Sequence, residues 1–203
     1  MFRRSRGLAT AVLAVVFLST AASPTRLVAA VPVAAPANVA GAVDLSGKPV
    51  DPFEAAGSKP LVLIFLRTDC PVANRYAPTI KDLSRKYAGE VVMMLVYPDK
   101  DETPQNISRH LRDYGYQLPA LQDKQHNLVK LGKVEITPEV AVFNGKKELI
   151  YHGRIDNWYK DFGRARPAPT THELNDAIQA ALNGGRAAPA PASGVGCYIS
   201  DLP

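Results

Sequence analysis

Two uninterrupted apolar runs organise the chain, Leu61-Val62-Leu63-Ile64-Phe65-Leu66 and Val91-Val92-Met93-Met94-Leu95-Val96-Tyr97. Runs of this length with no polar position suit strands covered on both faces. Between them Tyr76, Ile80, Leu83 and Tyr87 recur at helical spacing with charges interleaved. That pattern predicts a helix from Pro71 to Tyr87, kinked at Pro78. Thr103 to Tyr114 reads as another helix, with Pro104 in its first turn and Gly115 past its end. Leu118 to Gln122 reads as a short extended piece, and Lys124 to Leu131 as a helix stopped by Gly132. Glu139–Phe143 and Glu148–His152 flank Asn144-Gly145, a hairpin signal. Thr171 to Leu182 is the last predicted helix, capped by Thr171 and followed by Gly184-Gly185. Val43 to Val50 alternates around a turn and reads as a short hairpin. Strand, helix, strand, helix, helix, hairpin, helix is the order of an α/β domain with at least one parallel strand pair.

The ends read differently. Phe2-Arg3-Arg4-Ser5-Arg6 is a basic segment, and Leu8 to Leu18 an apolar one of the length of a secretory signal. Small residues at 19–22 and 28–30 offer cleavage near 22 or near 30. The expectation is a signal over residues 1–30, a flexible Ala/Pro/Val leader over 31–40, a domain over 41–183 and an Ala/Pro-rich tail over 184–203. The protein is then exported, periplasmic or otherwise extracytoplasmic, and membrane-bound only if the signal stays uncleaved. The charge balance changes accordingly. Of 24 basic residues, Arg3, Arg4, Arg6 and Arg26 lie in the signal, which holds no acidic residue. The remainder carries 20 basic and 19 acidic residues, a net of about +1. Nothing in that balance points to nucleic acid.

Two cysteines exclude a disulfide scaffold. Cys70 follows the first apolar run and opens the helix at Pro71, where the helix dipole and unpaired N–H groups favour a thiolate. Cys197 lies fifteen residues beyond Leu182. At about 3.3 Å per residue that arm spans some 50 Å, enough to return to Cys70. Three readings stay open for it: a resolving thiol for Cys70, a permanent staple of the tail, or a link to another chain.

The segment Thr68-Asp69-Cys70-Pro71-Val72-Ala73-Asn74, with Pro78 eight residues after the cysteine and Val134-Glu135-Ile136-Thr137-Pro138-Glu139-Val140 before a strand, resembles the thioredoxin-like fold in its redoxin branch. The resemblance implies a central mixed β-sheet flanked by helices, and a cis peptide at Thr137–Pro138 facing Cys70, beside which an extended substrate pairs. The chain departs from its relatives at informative places. Ala73 stands where thioredoxins carry their second cysteine, which rules out a local dithiol. Arg67 and Leu63 stand where peroxiredoxins carry Thr or Ser and Pro.

The resemblance implies a thiol-disulfide oxidoreductase or redoxin-type antioxidant protein. Its catalytic candidates are Cys70, Cys197, Pro138 and Thr137, and its substrate-binding candidates are Pro71, Asn74 and Arg75. Asp69 opposes a Cys70 thiolate, while Arg67 and Arg75 support one. The partners are protein or small-molecule disulfides or peroxides, and an exported thiol electron donor. No organic cofactor is expected, since glycine-rich phosphate loops and flavin or nicotinamide signatures are absent. His110, His126, His152 and His172 show no metal spacing and read mostly as surface residues. His152 is the one candidate ligand, for a Sco-like copper carrier using Cys70, Cys197 and His152; Asn74 stands where that relative has its second cysteine. A non-catalytic adaptor with this fold is the third class. Trp158, after Asp156 and Asn157, covers either the site or only the core.

Overall fold

The computed structural model describes residues 41–184, 194–200 and 202. The expected signal, the leader and the linker at 185–193 lie outside the described residues. In chain order the elements are β1 (Val43–Asp44), α1 (Pro52–Ala56), β2 (Leu61–Phe65), α2 (Pro71–Arg75), α3 (Ala77–Lys86), β3 (Val92–Tyr97), α4 (Pro104–Tyr114) and β4 (Ala120–Gln122). They continue with α5 (Asn127–Gly132), β5 (Ile136–Thr137), β6 (Glu139–Phe143), β7 (Leu149–Gly153), β8 (Tyr159–Asp161), β9 (Arg164–Ala165), α6 (Glu173–Leu182) and β10 (Cys197–Tyr198).

Six strands form one mixed sheet in the order β1-β4-β3-β2-β6-β7. β2 runs parallel to β3, and β3 to β4, while β6 pairs antiparallel with both β2 and β7. Every residue of β2 is buried, as its lack of polar positions requires. Its alternating side chains feed two cores. Val62 and Ile64 meet Ile80 of α3, Ile107 of α4 and Leu174 and Ile178 of α6 on one face. Leu61, Leu63 and Phe65 meet Phe53 of α1 and Leu128 and Val129 of α5 on the other. Burying one such side chain contributes roughly 1.5–3 kcal/mol.

Several boundaries differ from the sequence pattern, each for a local reason. The helix expected from Pro71 to Tyr87 is two helices broken at Tyr76. Pro78 has no N–H to give the Asn74 carbonyl and its ring crowds that group, so the break falls before the proline. α5 begins at Asn127, where the Asp123 carboxylate accepts from the N–H groups of Asn127 and Val129 at 2.9 Å each. Gly132 ends that helix from within. A Cβ there would lie 2.9 Å from the Ala141 Cβ and 3.2 Å from the Phe65 ring. The β6–β7 connection is five residues, one more than the sequence pattern gives. Asn144 Oδ1 accepts from Lys146 N and Glu148 N, and Lys147 takes the left-handed conformation at φ 66°. α6 is capped without a side-chain hydrogen bond at His172, because the Thr171 hydroxyl donates to Glu173 Oε1 instead. The turn at 44–48 forms, but β1 takes its sheet partner from β4.

Candidate functional site

Cys70 sits where β2 hands over to α2, at the C-terminal end of the central strand. It is the N-cap of α2, and Ala73 N–H donates to its sulfur at 3.5 Å. Pro71 occupies the first helical position, where its missing N–H costs nothing. The Cys70 side chain is fully buried, at 0% exposure.

Facing it is the Thr137–Pro138 bond, which is cis. Cys70 Sγ donates to the Thr137 carbonyl oxygen at 3.2 Å. Thr137 and Pro138 are both buried.

Cys197 completes the group. β10 pairs antiparallel with β5, Cys197 opposite Thr137 and Tyr198 opposite Ile136. The two cysteines are free thiols, and Cys70 is near enough to bear on the proton of Cys197. Burial, the neighbouring Cys70 side chain and the charge of Asp69 push the Cys197 thiol up to about 12, with Arg67 pulling the other way. Cys197 therefore keeps its proton at neutral pH.

The tail is held along its length. Gly194 N–H donates to Glu139 Oε1 at 2.8 Å, and the Thr137 hydroxyl donates to the Cys197 carbonyl at 3.3 Å. Arg67 Nη1 donates to the Tyr198 carbonyl at 3.2 Å, and Ile199 N–H to the Glu135 carbonyl at 2.9 Å. The Ile199 side chain is buried in the core beside α1 and α5. Gly196 lies so close that a Cβ there would be 1.9 Å from the Thr137 oxygen.

The remaining candidates fall into two groups. Asn74 turns away from the sulfur: its amide donates to the Thr68 carbonyl at 3.0 Å, and its oxygen meets His110 Nε2 at 2.7 Å. Arg75 stacks over Trp158 and Tyr159, 5.2 and 5.9 Å from the ring centroids. Arg67 makes a two-pronged pair with Asp69, 3.1 Å at each nitrogen, and reaches Asp99 at 3.2 Å, so Asp69 faces a guanidinium beside the site. Trp158 packs edge-on against Tyr76, whose hydroxyl donates to Asp156 at 2.6 Å.

The histidines correct the surface expectation. His110 and His126 are buried, because each has an internal partner: Tyr97 Oη at 2.8 Å for His110 Nδ1, and the Pro98 carbonyl at 2.9 Å for His126 Nε2. His152 is exposed on β7 and does not join the two sulfurs. Among the described residues no group of three His, Cys, Asp or Glu side chains is arranged to hold a metal ion.

The part that two residues play in building the site was not readable from the sequence. Glu139 reads there as the start of a strand, yet its buried carboxylate also accepts from Glu135 N and Ile136 N, at 3.2 and 3.4 Å. The other is Ile199, one of several apolar residues in an Ala/Pro-rich tail. A charged residue in an otherwise apolar run is the signal that could have found Glu139.

Comparison with known proteins fits this geometry. The model of the Redoxin family matches residues 30–161, well over half the chain, and so includes Cys70, Thr137 and Pro138 but not Cys197. No curated protein matches. A conserved uncharacterised protein from Geobacillus kaustophilus superposes with a TM-score of 0.67 at 20% identity, over 80% of this chain and 88% of that one. A hypothetical protein from Sinorhizobium meliloti gives 0.62 at 23% identity, over 77% and 87%. The pneumococcal exposed lipoprotein thioredoxin from Streptococcus pneumoniae gives 0.50 at 16% identity, over 70% and 96%. These likenesses establish the thioredoxin-like fold.

Proposed function

The chain belongs to the Redoxin family, and on that premise we propose that it is a thiol-disulfide oxidoreductase in which Cys70 attacks and Cys197 resolves. The observation that carries the reading is the pair of free thiols brought to one residue of the cis-proline edge, Cys70 on the Thr137 carbonyl and Cys197 opposite Thr137 on β10.

The chemistry follows from which thiol holds its proton. Cys197 holds its proton, so the first attack is assigned to Cys70, the sulfur at the start of α2. Ala73 N–H aims a donor at it. The Cys70 thiolate attacks one sulfur of a partner disulfide, forming a mixed disulfide, and the partner's other sulfur leaves as a thiolate that takes a proton. Cys70 then no longer offers Cys197 a charge, and one of the causes that hold the Cys197 proton in place disappears. The Cys197 thiolate attacks Cys70 Sγ, and the partner's second thiol departs. The partner gains two electrons, and the protein loses two as the Cys70–Cys197 disulfide. An external thiol donor returns it to the dithiol.

In this reading the protein works outside the cytoplasm. The basic segment at 2–6 followed by the apolar one at 8–18 supports that, as does the description of the pneumococcal neighbour as an exposed lipoprotein.

Reduction of insulin or glutathione disulfide with dithiothreitol as donor tests the proposal. Cys70→Ser reduces turnover to background, while Cys197→Ser keeps the first step and accumulates the mixed disulfide. Undiminished turnover in Cys70→Ser would refute it.

A further inference from the structure

The tail occupies a seat, and the seat is made almost wholly of groups that bind backbone. Thr137 pairs with Cys197 as a strand. The Thr137 hydroxyl and Arg67 Nη1 donate to the Cys197 and Tyr198 carbonyls, while the Glu135 carbonyl and Glu139 Oε1 accept from Ile199 N–H and Gly194 N–H. Such contacts hold any extended chain regardless of its side chains. Side chains are read most strictly at two places, since Val195 and Leu202 pack against the cores only partly buried. Before the cysteine, at Gly196, there is no room for a Cβ. Two residues after it, Ile199 fills an apolar socket, whereas Tyr198 between them points outward at 73% exposure.

We infer that the reaction partner is an extended protein segment that takes the tail's seat, with glycine immediately before its cysteine and a branched aliphatic residue two positions after it. The inference rests on the redox reading above and names the class of its substrate. With the tail seated, Cys70 has no exposed surface, so any reagent must wait for the tail to leave. Once it leaves, only another extended backbone replaces the donors and acceptors in kind; a small disulfide leaves Glu139, Arg67 and the Glu135 carbonyl to water. The cycle is then an exchange of strands. The partner segment displaces β10, its cysteine joins Cys70, and the returning tail brings Cys197 to resolve the bond and reclaims the seat. The partner is reduced and the protein oxidised by the same two electrons as above. Nine residues, 185–193, separate Gly184 from Gly194, and the ten backbone steps make a tether of up to roughly 33 Å. It makes the tail an intramolecular competitor at high effective concentration.

The test uses the full chain carrying Cys197→Ser, so that Cys70 is its one thiol. The probes are hexapeptides with the cysteine activated as a thionitrobenzoate disulfide, and the released chromophore gives the rate. Val-Gly-Cys-Tyr-Ile-Ser copies the tail. Two others replace its Gly with Val or its Ile with Asp. The parent peptide should react about tenfold faster than either, the scale set by one buried aliphatic side chain. Adding Gly196→Val to the protein unseats its own tail without touching the socket, and should accelerate the parent peptide by a similar factor. Equal rates for the three peptides overturn the inference. If they are equal while the symmetric bis(nitrobenzoate) disulfide still modifies Cys70, the redox reading stands and only the partner class falls. If Cys70 reacts with none of these reagents even in the Gly196→Val background, both fall.

Discussion

Around Cys70 the decisive residues are polar groups buried with partners. Glu139 accepts three backbone N–H groups, from Glu135, Ile136 and Gly194. His110 reaches the segment before Cys70 through Asn74, which holds the Thr68 carbonyl two residues ahead of the cysteine. Burial lowers the pKa of His110, against the opposing charges of Glu102 and Asp113. Tyr97, Tyr114 and Tyr116 are the rings packed around it. The imidazole is thus neutral in the fold, and in acid the unfolded chain binds a proton that the folded chain does not. The stability it contributes is complete above its ordinary value of about 6.5 and declines as pH falls below that. Urea midpoints at pH 7, 6 and 5 should decrease with acidification, and His110→Gln should flatten the slope over that range. An unchanged slope in the variant would remove His110 from the account. The sequence shows these residues but not their burial, because an internal partner for a polar side chain comes from a distant part of the chain. Asn74 lies 36 positions from His110, and Gly194 lies 55 from Glu139.

At the scale of elements, local chemistry was legible and tertiary pairing was not. The apolar runs of β2 and β3 and the Thr103 and Gly115 ends of α4 were readable because a single segment carries each signal. The Cys70-Pro71 junction and the Thr137-Pro138 pair were readable for the same reason, and they identified the fold. β10 was not readable: two residues at the end of an Ala/Pro-rich tail have no periodicity, and their strand geometry comes from β5. Gly132 ends α5 as its position suggests, but its packing against Ala141 and Phe65 was not readable, because a glycine looks the same in both settings. Glu139 links these elements, since its carboxylate serves both the approach to β5 and the tail. Glu139→Ala should cost about 1–3 kcal/mol for the N–H groups it leaves unpaired. Hydrogen exchange read by mass spectrometry should show the loss as faster exchange at Gly194 and Ile199, with β2 and β3 unchanged. Unaltered protection of the tail would mean that Glu139 does not latch it.

For the whole molecule, the arrangement is a family domain with an added strand. The Redoxin match ends at residue 161, and the second thiol arrives from beyond it on β10. The sheet order places β2 centrally, with β3 on one side and β6 on the other. The residues that end β2 and precede β6 therefore lie side by side, Cys70 against Thr137. The fold supplies one sulfur and a backbone edge. The tail supplies the other sulfur and, by pairing with that edge, presents it. The central claim is that these two thiols form one redox couple. Differential alkylation with peptide mass spectrometry, on the full chain before and after mild oxidation and again after reduction, measures it most directly. The account predicts an intramolecular Cys70–Cys197 disulfide that forms with oxidant and is lost with reductant. A Cys70 that stays a free thiol under oxidation, or cysteines bridged only to other chains, would contradict it.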